Sequence, residues 1–160
     1  MIRIRPARAE EAERLAKLCI RSKAHWGYET EFMRQSANAL TVTDAMIAQG
    51  RVLVAETQCG RLMGVASLEA MKTEGKFDLS LLFVEPSAIG TGIGRTLFEA
   101  AVGLVANDGG TSLSILADPF AAAFYQHLGA VKIGEAPSDA IPGRYLPLLE
   151  YTISKRQAAS

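Results

Sequence analysis

Two periods of apolar and polar residues alternate along this chain, and the switches between them outline its elements. "IRIRPA" alternates apolar and charged positions, which predicts a short strand from Ile2 to Arg5 ended by Pro6. The period then lengthens. Ala12, Leu15, Ala16 and Cys19 fall at i, i+3, i+4 and i+7 and predict a helix from Ala9 to Lys23. Glu10 precedes Arg14, and Glu13 precedes Lys17, by four residues, the favourable order on a helix surface. Gly27 within "HWGYETEF" breaks this helix, and weaker helical patterns follow over Glu29 to Ala39 and Asp44 to Gln49. Strand patterns return in "RVLVAE" (Arg51 to Glu56) and "LMGVASLEA" (Leu62 to Ala70), joined by the hairpin-sized loop "TQCGR". "KFDLSLLFVE" (Lys76 to Glu85) is a third strand of this group. Its continuous apolar end implies burial on both faces.

The second half repeats the alternation at larger scale. A glycine segment opens a helix to about Ala106, with Leu97, Ala101, Leu104 and Val105 on its buried side and "NDGG" ending it. "SLSILA" (Ser112 to Ala117) is a strand. Asp118-Pro119 pairs an N-cap carboxylate with a proline suited to the first helical position, so a helix is expected from there to Leu128, stopped by Gly129. "AVKIGE" and "YLPLLEYTI" are the last two strands. The order β-α-α-β-β-β-α-β-α-β-β implies an α/β fold with a mixed sheet covered by helices. The expected organisation is one domain over residues 1–154 and a frayed tail over 155–160.

Composition narrows the function classes. With 160 residues, 49% apolar and 21% charged, the chain reads as one soluble globular domain. Seventeen basic residues balance seventeen acidic ones, so no net positive field gathers nucleic acid or an anionic membrane, and neither is an expected partner. Cys19 and Cys59 lack metal-ligand spacing, and Cys19 sits on an apolar helical face, where burial keeps a thiol inert. His25 and His127 are too few for a histidine-rich site, and no metal is expected. "MIRIRPARAEEAERL" lacks the apolar core of a secretory signal, and no apolar run approaches the roughly 20 residues of a membrane span. A reduced, cytoplasmic location is the expectation.

The candidate chemistry starts at "VEPSAIGTGIGRTLFEA", which carries Gly90, Gly92 and Gly94 on alternate positions just before an amphipathic run. A P-loop needs a GK[ST] ending, and Arg95-Thr96 follow Gly94 instead. A dinucleotide fingerprint would place its glycines directly off the strand and a third glycine where Arg95 stands; "EPSAI" and Arg95 both argue against it. A third build is a longer loop whose closely spaced glycines turn several backbone N–H groups to one point at a helix N-terminus, a cradle for a pyrophosphate. Thr91 would add a hydroxyl and Arg95 a charge at the rim. Alone, such glycines more often do no more than tighten a strand-to-helix connection.

Their neighbours favour the cradle. Val84-Glu85-Pro86 followed by Ile89-Gly90-Thr91-Gly92-Ile93-Gly94, and "DPFAAAFYQHLGA" about thirty residues on, resemble the two motifs of the GNAT superfamily of N-acetyltransferases. Element order and length match as well, so the resemblance spans nearly the whole chain. Ile89 departs from the usual Gln or Arg, and Phe120 stands where many members carry Asn. The resemblance implies a mostly antiparallel sheet of about seven strands flanked by helices, and acetyl-CoA as acetyl donor. It places the donor's pyrophosphate on the amides of Gly90 to Arg95 (Gly90, Thr91, Gly92, Ile93, Gly94 and Arg95), with Ile89 and Thr96 also among the donor-binding residues. The pantetheine arm would lie along Leu82, Phe83 and Val84, with Phe124 beside the donor.

Acetyl transfer needs a neutral amine, a stabilised oxyanion and a proton for the leaving thiolate. An amine with a pKa of about 10 is mostly protonated at neutral pH, so a carboxylate or a water chain should take its proton. Tyr125 is the candidate general acid: its position matches the family tyrosine, it would protonate or hydrogen-bond the departing sulfur, and Ala121 one turn earlier leaves room beside its ring. Asp78 enters the donor strand six residues before Val84, where some members carry a catalytic Glu, and aspartate is unusual inside a strand. Glu69 on the neighbouring strand is the second candidate base. In this family the loop after the first helix and the loop before the last strand flank the acceptor. "HWGYETEF" and "SDAIPGRY" hold those places. His25, Trp26, Tyr28 and Phe32 would form an aromatic wall, and Arg144 would meet an acceptor carboxylate or phosphate. The expected function is transfer of acetyl from acetyl-CoA to the primary amine of a small molecule. A non-catalytic acyl-CoA sensor and, more distantly, a dinucleotide-binding protein stand as alternatives, and a homodimer is left open.

Overall fold

The computed structural model describes residues 1–154; the expected tail at 155–160 lies outside the described residues. Seven strands form one mixed sheet: β1 (Ile2–Pro6), β2 (Val52–Thr57), β3 (Leu62–Ala70), β4 (Lys76–Val84), β5 (Ser112–Leu116), β6 (Val131–Pro137) and β7 (Tyr145–Thr152), in the order β1-β2-β3-β4-β5-β7-β6. The helices are α1 (Ala12–Ala24), α2 (Thr30–Ser36), α3 (Asp44–Ala48), α4 (Ile93–Asn107) and α5 (Ala122–His127). β1–β2, β2–β3, β5–β7 and β6–β7 are antiparallel, and β4–β5 is parallel. The expected α/β class and mostly antiparallel sheet are what the fold has. The chain forms two compact units, one of Met1–Ser67 with Leu81–Ala101 and one of Leu68–Ser80 with Val102–Ser160.

In the first unit, Leu15, Leu18 and Cys19 of α1 pack with Val52, Val54, Val65 and Leu81 of the strands and with Leu40, Val42 and Ile47. Of the stripe read from the sequence, Leu15 and Cys19 are buried and Ala12 packs against them; Leu18, outside the stripe, is buried as well, and Ala16 is only half-buried. Its first turn is tighter than expected, a 3₁₀ turn over Ala9–Glu11. The reason lies in a polar cluster that alternation alone hides. Arg5, expected at a solvent-facing position, is buried, and its guanidinium grips both carboxylate oxygens of Glu11 at 3.0 and 2.7 Å and one of Glu56 at 2.9 Å. Glu11 also accepts from the Arg8 amide at 2.8 Å. Pro6 does not end β1 but is its last paired residue, opposite Leu53. An edge strand tolerates a residue with no N–H.

The predicted second helix divides into α2 and a 3₁₀ turn over Ala37–Leu40. α3 starts where the Thr43 hydroxyl accepts from the Met46 amide at 3.1 Å, an N-cap. Gly64 in β3 sets the approach of α4. A Cβ there would stand 2.6 Å from Leu97 Cδ1 and 3.2 Å from the Phe83 carbonyl oxygen.

In the second unit, Leu113 and Ile115 of β5 and Leu149 of β7 are fully buried, as are Val102 and Val105 of α4. β4 enters this unit through Lys76↔Ser112, Phe77↔Leu113 and Asp78↔Ser114. One expectation fails here: α5 does not begin at Asp118-Pro119. Asp118 instead closes a turn. Its carboxylate accepts from the Phe120 amide at 2.9 Å, and its carbonyl accepts from Ala121 and Ala122 at 2.8 and 3.1 Å. An aspartate that bonds two residues ahead builds an Asx turn, which competes with its use as a cap. The helix therefore starts at Ala122.

Candidate active site

The glycine segment lies wholly in the first unit. β4 ends at Val84, and the Glu85 amide donates to the Met63 carbonyl at 2.8 Å, which fixes where the strand releases the chain. Pro86–Ala88 forms a 3₁₀ turn with Ala88 buried, and Ile89 is extended with 38% of its surface exposed. Gly90 and Gly92 both turn left-handed, with φ of 85° and 90°. A side chain strains such a backbone, which is why glycine is needed at both places. A Cβ at either position would meet nothing within 4 Å, so their approach is open. Gly94 differs: it belongs to the first turn of α4.

The N–H groups are the result. The Thr91 amide bonds the Ala88 carbonyl at 3.1 Å, and the Thr96 amide bonds the Gly92 carbonyl at 3.1 Å. Among the described residues, the amides of Gly90, Gly92, Ile93, Gly94 and Arg95 donate no backbone hydrogen bond. Four of these, from Gly92 to Arg95, are the orphan donors any helix start leaves, and the loop adds Gly90. The α4 dipole places partial positive charge at the same end. Both threonine hydroxyls brace the loop: Thr91 Oγ1 donates to the Ala88 carbonyl, and Thr96 Oγ1 to the Gly92 carbonyl at 3.0 Å. Arg95 is exposed and pairs with Glu99 at 2.9 Å, one turn along α4. Leu82, Phe83 and Val84, the expected pantetheine strand, are half-buried rather than sealed in the core.

The same unit holds the aromatic residues after α1. Tyr28 and Phe32 stack with centroids 4.1 Å apart, and Lys23 Nζ lies 5.1 and 5.5 Å from their centroids. His25 meets Trp26 edge-on at 5.2 Å, and Trp26 is 40% exposed. The four expected aromatics thus form two adjacent pairs along the chain. Lys23, which the sequence reading did not single out, joins one of them. It is five residues before Tyr28 and across a helix end, so no periodicity links them.

The remaining candidates sit in the second unit. Asp78, on β4, has its carboxyl pushed up to about 6, first by burial and then by the negative charges of Glu69 and Asp139. A carboxyl held near neutrality by burial and like charge suits a proton acceptor. Glu69 is exposed at the end of β3, which makes it a field source for Asp78. Asp139 carried no signal in the sequence, because the loop that brings it there folds from 61 residues away. Tyr125 on α5 is buried, edge-on to Phe124 at 5.1 Å. Burial and then the charge of Asp118 raise its phenol above the ordinary value, so it stays protonated. Arg144 Nη2 lies 3.9 Å from Asp118 Oδ2, both largely buried. Its first partner is therefore inside the protein.

Among the described residues no group of three or more His, Cys, Asp or Glu is placed to hold a metal, and no helix is long and apolar enough to cross a membrane. Cys19 is buried, and its thiol is pushed up to about 12 by that burial, which leaves it unreactive.

Comparison with known proteins agrees with this geometry. Over 94% of both chains, the fold matches a GCN5-related N-acetyltransferase from Rhodopseudomonas palustris, with 26% identity and a TM-score of 0.73. It matches the PaiA N-acetyltransferase from Thermoplasma acidophilum, solved with coenzyme A, over 95% of this chain and 99% of that one, at 18% identity and a TM-score of 0.74. A GNAT family acetyltransferase from Brucella melitensis, solved with acetyl-CoA, aligns over 96% and 89% at 17% identity and a TM-score of 0.68. No curated protein gives a significant match. These likenesses describe a shared fold. A family model described as an acetyltransferase (GNAT) domain matches residues 8–140, and the chain belongs to that family.

Proposed function

We propose that the protein transfers the acetyl group of acetyl-CoA directly to the primary amine of a small molecule. The observation that carries this reading is the set of unpartnered amides at Gly90, Gly92, Ile93, Gly94 and Arg95, gathered at the positive end of α4. That donor set suits a pyrophosphate, whose oxygens accept hydrogen bonds and whose charge favours the dipole. Acetyl-CoA supplies a thioester-activated acetyl group. The fit is one of backbone rather than side chain: Ile89 offers no polar group, and the Thr91 and Thr96 hydroxyl protons hold the loop.

The chain's own groups then divide the proton work. Asp78 accepts the amine proton, directly or through water; with its carboxyl near 6 it is ionised at pH 7 to 8 yet basic enough to act. Burial keeps it so, helped by the charges of Glu69 and Asp139. Tyr125 serves the departing sulfur. A thiol with a pKa of about 8.5 is a stronger acid than this raised phenol, so a full proton transfer would run uphill. Tyr125 acts as a hydrogen-bond donor to the forming thiolate. The aromatic residues His25, Trp26, Tyr28 and Phe32 are the acceptor wall, with Lys23 limiting it to acceptors that tolerate a nearby cation.

Calorimetric titration with acetyl-CoA, combined with a thiol-release assay over a panel of amines, tests the reading. Binding with amine-dependent release is expected. Binding without release for any amine would replace the enzyme reading with an acyl-CoA sensor, and NAD binding in place of acetyl-CoA would overturn the donor assignment.

A further inference from the structure

A cavity of about 380 Å³ lies in the first unit, beside the end of β4, and is lined by none of the residues assigned above. Leu18 and Leu62, both buried, give it an apolar floor. Its rim is cationic. Arg14, Lys17 and Arg21 follow one another at i, i+3 and i+7, so α1 turns all three to one side, and Arg61 at the mouth of β3 faces them. Glu85 is the single carboxylate in the lining. Arg21 already holds it in a fork, Nε to Oε1 at 2.9 Å and Nη2 to Oε2 at 2.8 Å. Lys17 pairs with Glu13 at 3.2 Å, but Glu13 is 83% exposed, and such surface pairs hold weakly. The guanidinium groups of Arg14 and Arg61 have no hydrogen-bond partner among the described residues; Arg61 acts on Glu85 only through its charge.

This concentration of charge is local. The whole chain is balanced, yet here four cations surround one carboxylate. Burial of Leu18 and Leu62 does not require it, and like charges around one hollow repel. A bound anion would relieve that repulsion. A single carboxylate would leave most of the excess in place, whereas a dianion matches it better. Guanidinium forks suit tetrahedral phosphate oxygens, and the cavity falls in the size range of small-ligand sites, roughly 300 to 1,000 Å³.

We propose that this cavity binds the phosphate monoester group of a small molecule, through Arg14, Lys17 and Arg61, with Arg21 positioned by Glu85. The site differs in kind from the glycine loop, which offers amides rather than cations; as a site for a free ester it stands apart from the acetyl-transfer reading, and only its assignment to the acetyl donor rests on that reading. The phosphate has two sources: a free phosphorylated metabolite, or the 3′-phosphate of the acetyl donor itself.

The test is an amide-resolved NMR titration of the full chain with inorganic phosphate, ionic strength held constant with chloride. Saturable shifts are expected at Arg14, Lys17, Arg21, Arg61 and Leu62. The double variant Arg14→Gln/Arg61→Gln, both side chains on an exposed rim, should weaken phosphate binding about tenfold or more while the rest of the spectrum keeps its folded dispersion. Repeating the titration with saturating acetyl-CoA or its dephospho form separates the sources. Phosphate binding that survives both assigns the cavity to a free ester; binding blocked by acetyl-CoA and restored with the dephospho form assigns it to the donor. Shifts that rise linearly without saturating, shifts confined to Gly90–Arg95, or an unchanged affinity in the double variant would each overturn the proposal.

Discussion

Replacing Asp78 with Asn should make the protein more stable at pH 8 and no different at pH 4. The reason is the cost of keeping a carboxylate ionised in its site. Its folded pKa is raised from 3.8 to about 6. The group therefore contributes stability that is fully present below pH 3.8 and is lost as pH rises through about 6. At 1.36 kcal/mol per unit, a shift of about two units corresponds to an upper bound of about 3 kcal/mol. Asp78 is only half-buried, and solvent screens its environment, so roughly half that value, about 1.5 kcal/mol, is expected. For a domain of this size that is a rise of about 3 to 6 °C in Tm. Urea denaturation of both proteins at a series of pH values from 4 to 8 measures it. The difference should open between pH 4 and 6 and stay constant above. The same substitution should remove the acid limb of the pH–rate profile, whose midpoint lies near 6. A variant that is less stable at pH 8, or a stability difference that does not change with pH, would refute the account of Asp78. Gain of stability with loss of turnover is what a functional charge held against its environment should show.

Further substitutions probe the other parts. Tyr125→Phe should lower turnover about a hundredfold and leave acetyl-CoA affinity unchanged, measured by thiol release and calorimetry; an unaltered rate removes Tyr125 from the chemistry. Gly92→Ala should cost about 1 to 2 kcal/mol of stability for its left-handed backbone, and it should weaken acetyl-CoA binding because the amides around it turn away. Gly110→Ala should destabilise by about 3 kcal/mol in urea, since a Cβ there would stand 2.2 Å from Val105 Cγ1 and 2.8 Å from the Val105 carbonyl oxygen. Arg5→Ala should lose about 3 kcal/mol at pH 7 by stranding the buried Glu11 carboxylate. Arg5 holds the Glu11 pKa below its ordinary value, so that loss should shrink as acid protonates Glu11.

Residues that act through neighbours in the chain were legible. The stripe from Ala12 to Cys19 finds Leu15 and Cys19 of the buried face of α1 but misses Leu18, and of the three alternate glycines Gly90 and Gly92 turn left-handed while Gly94 is helical. What the sequence hides is set by contacts across the fold. Arg5 looks like a surface residue in an alternating strand, and only Glu11 and Glu56, the latter 51 residues away, make its burial tolerable. Asp78 shows itself as an odd aspartate in a strand, but its raised pKa comes first from burial, then from Glu69 and, least, from Asp139 in a distant loop. Asp118-Pro119 fails for a different reason. The same two residues suit a helix cap and an Asx turn, and the local hydrogen bond to Phe120 decides between them. Arg14, Lys17 and Arg21 are visible as a helix face, yet the hollow they rim exists only once Arg61 faces them.

The central claim is that the amides around Gly90 and Gly92 hold the acetyl donor. An amide-resolved titration with acetyl-CoA tests it directly. Saturable shifts should be largest at Gly90, Gly92, Ile93, Gly94 and Arg95 and should be reduced in Gly92→Ala. Saturation with these five amides unmoved would contradict the claim.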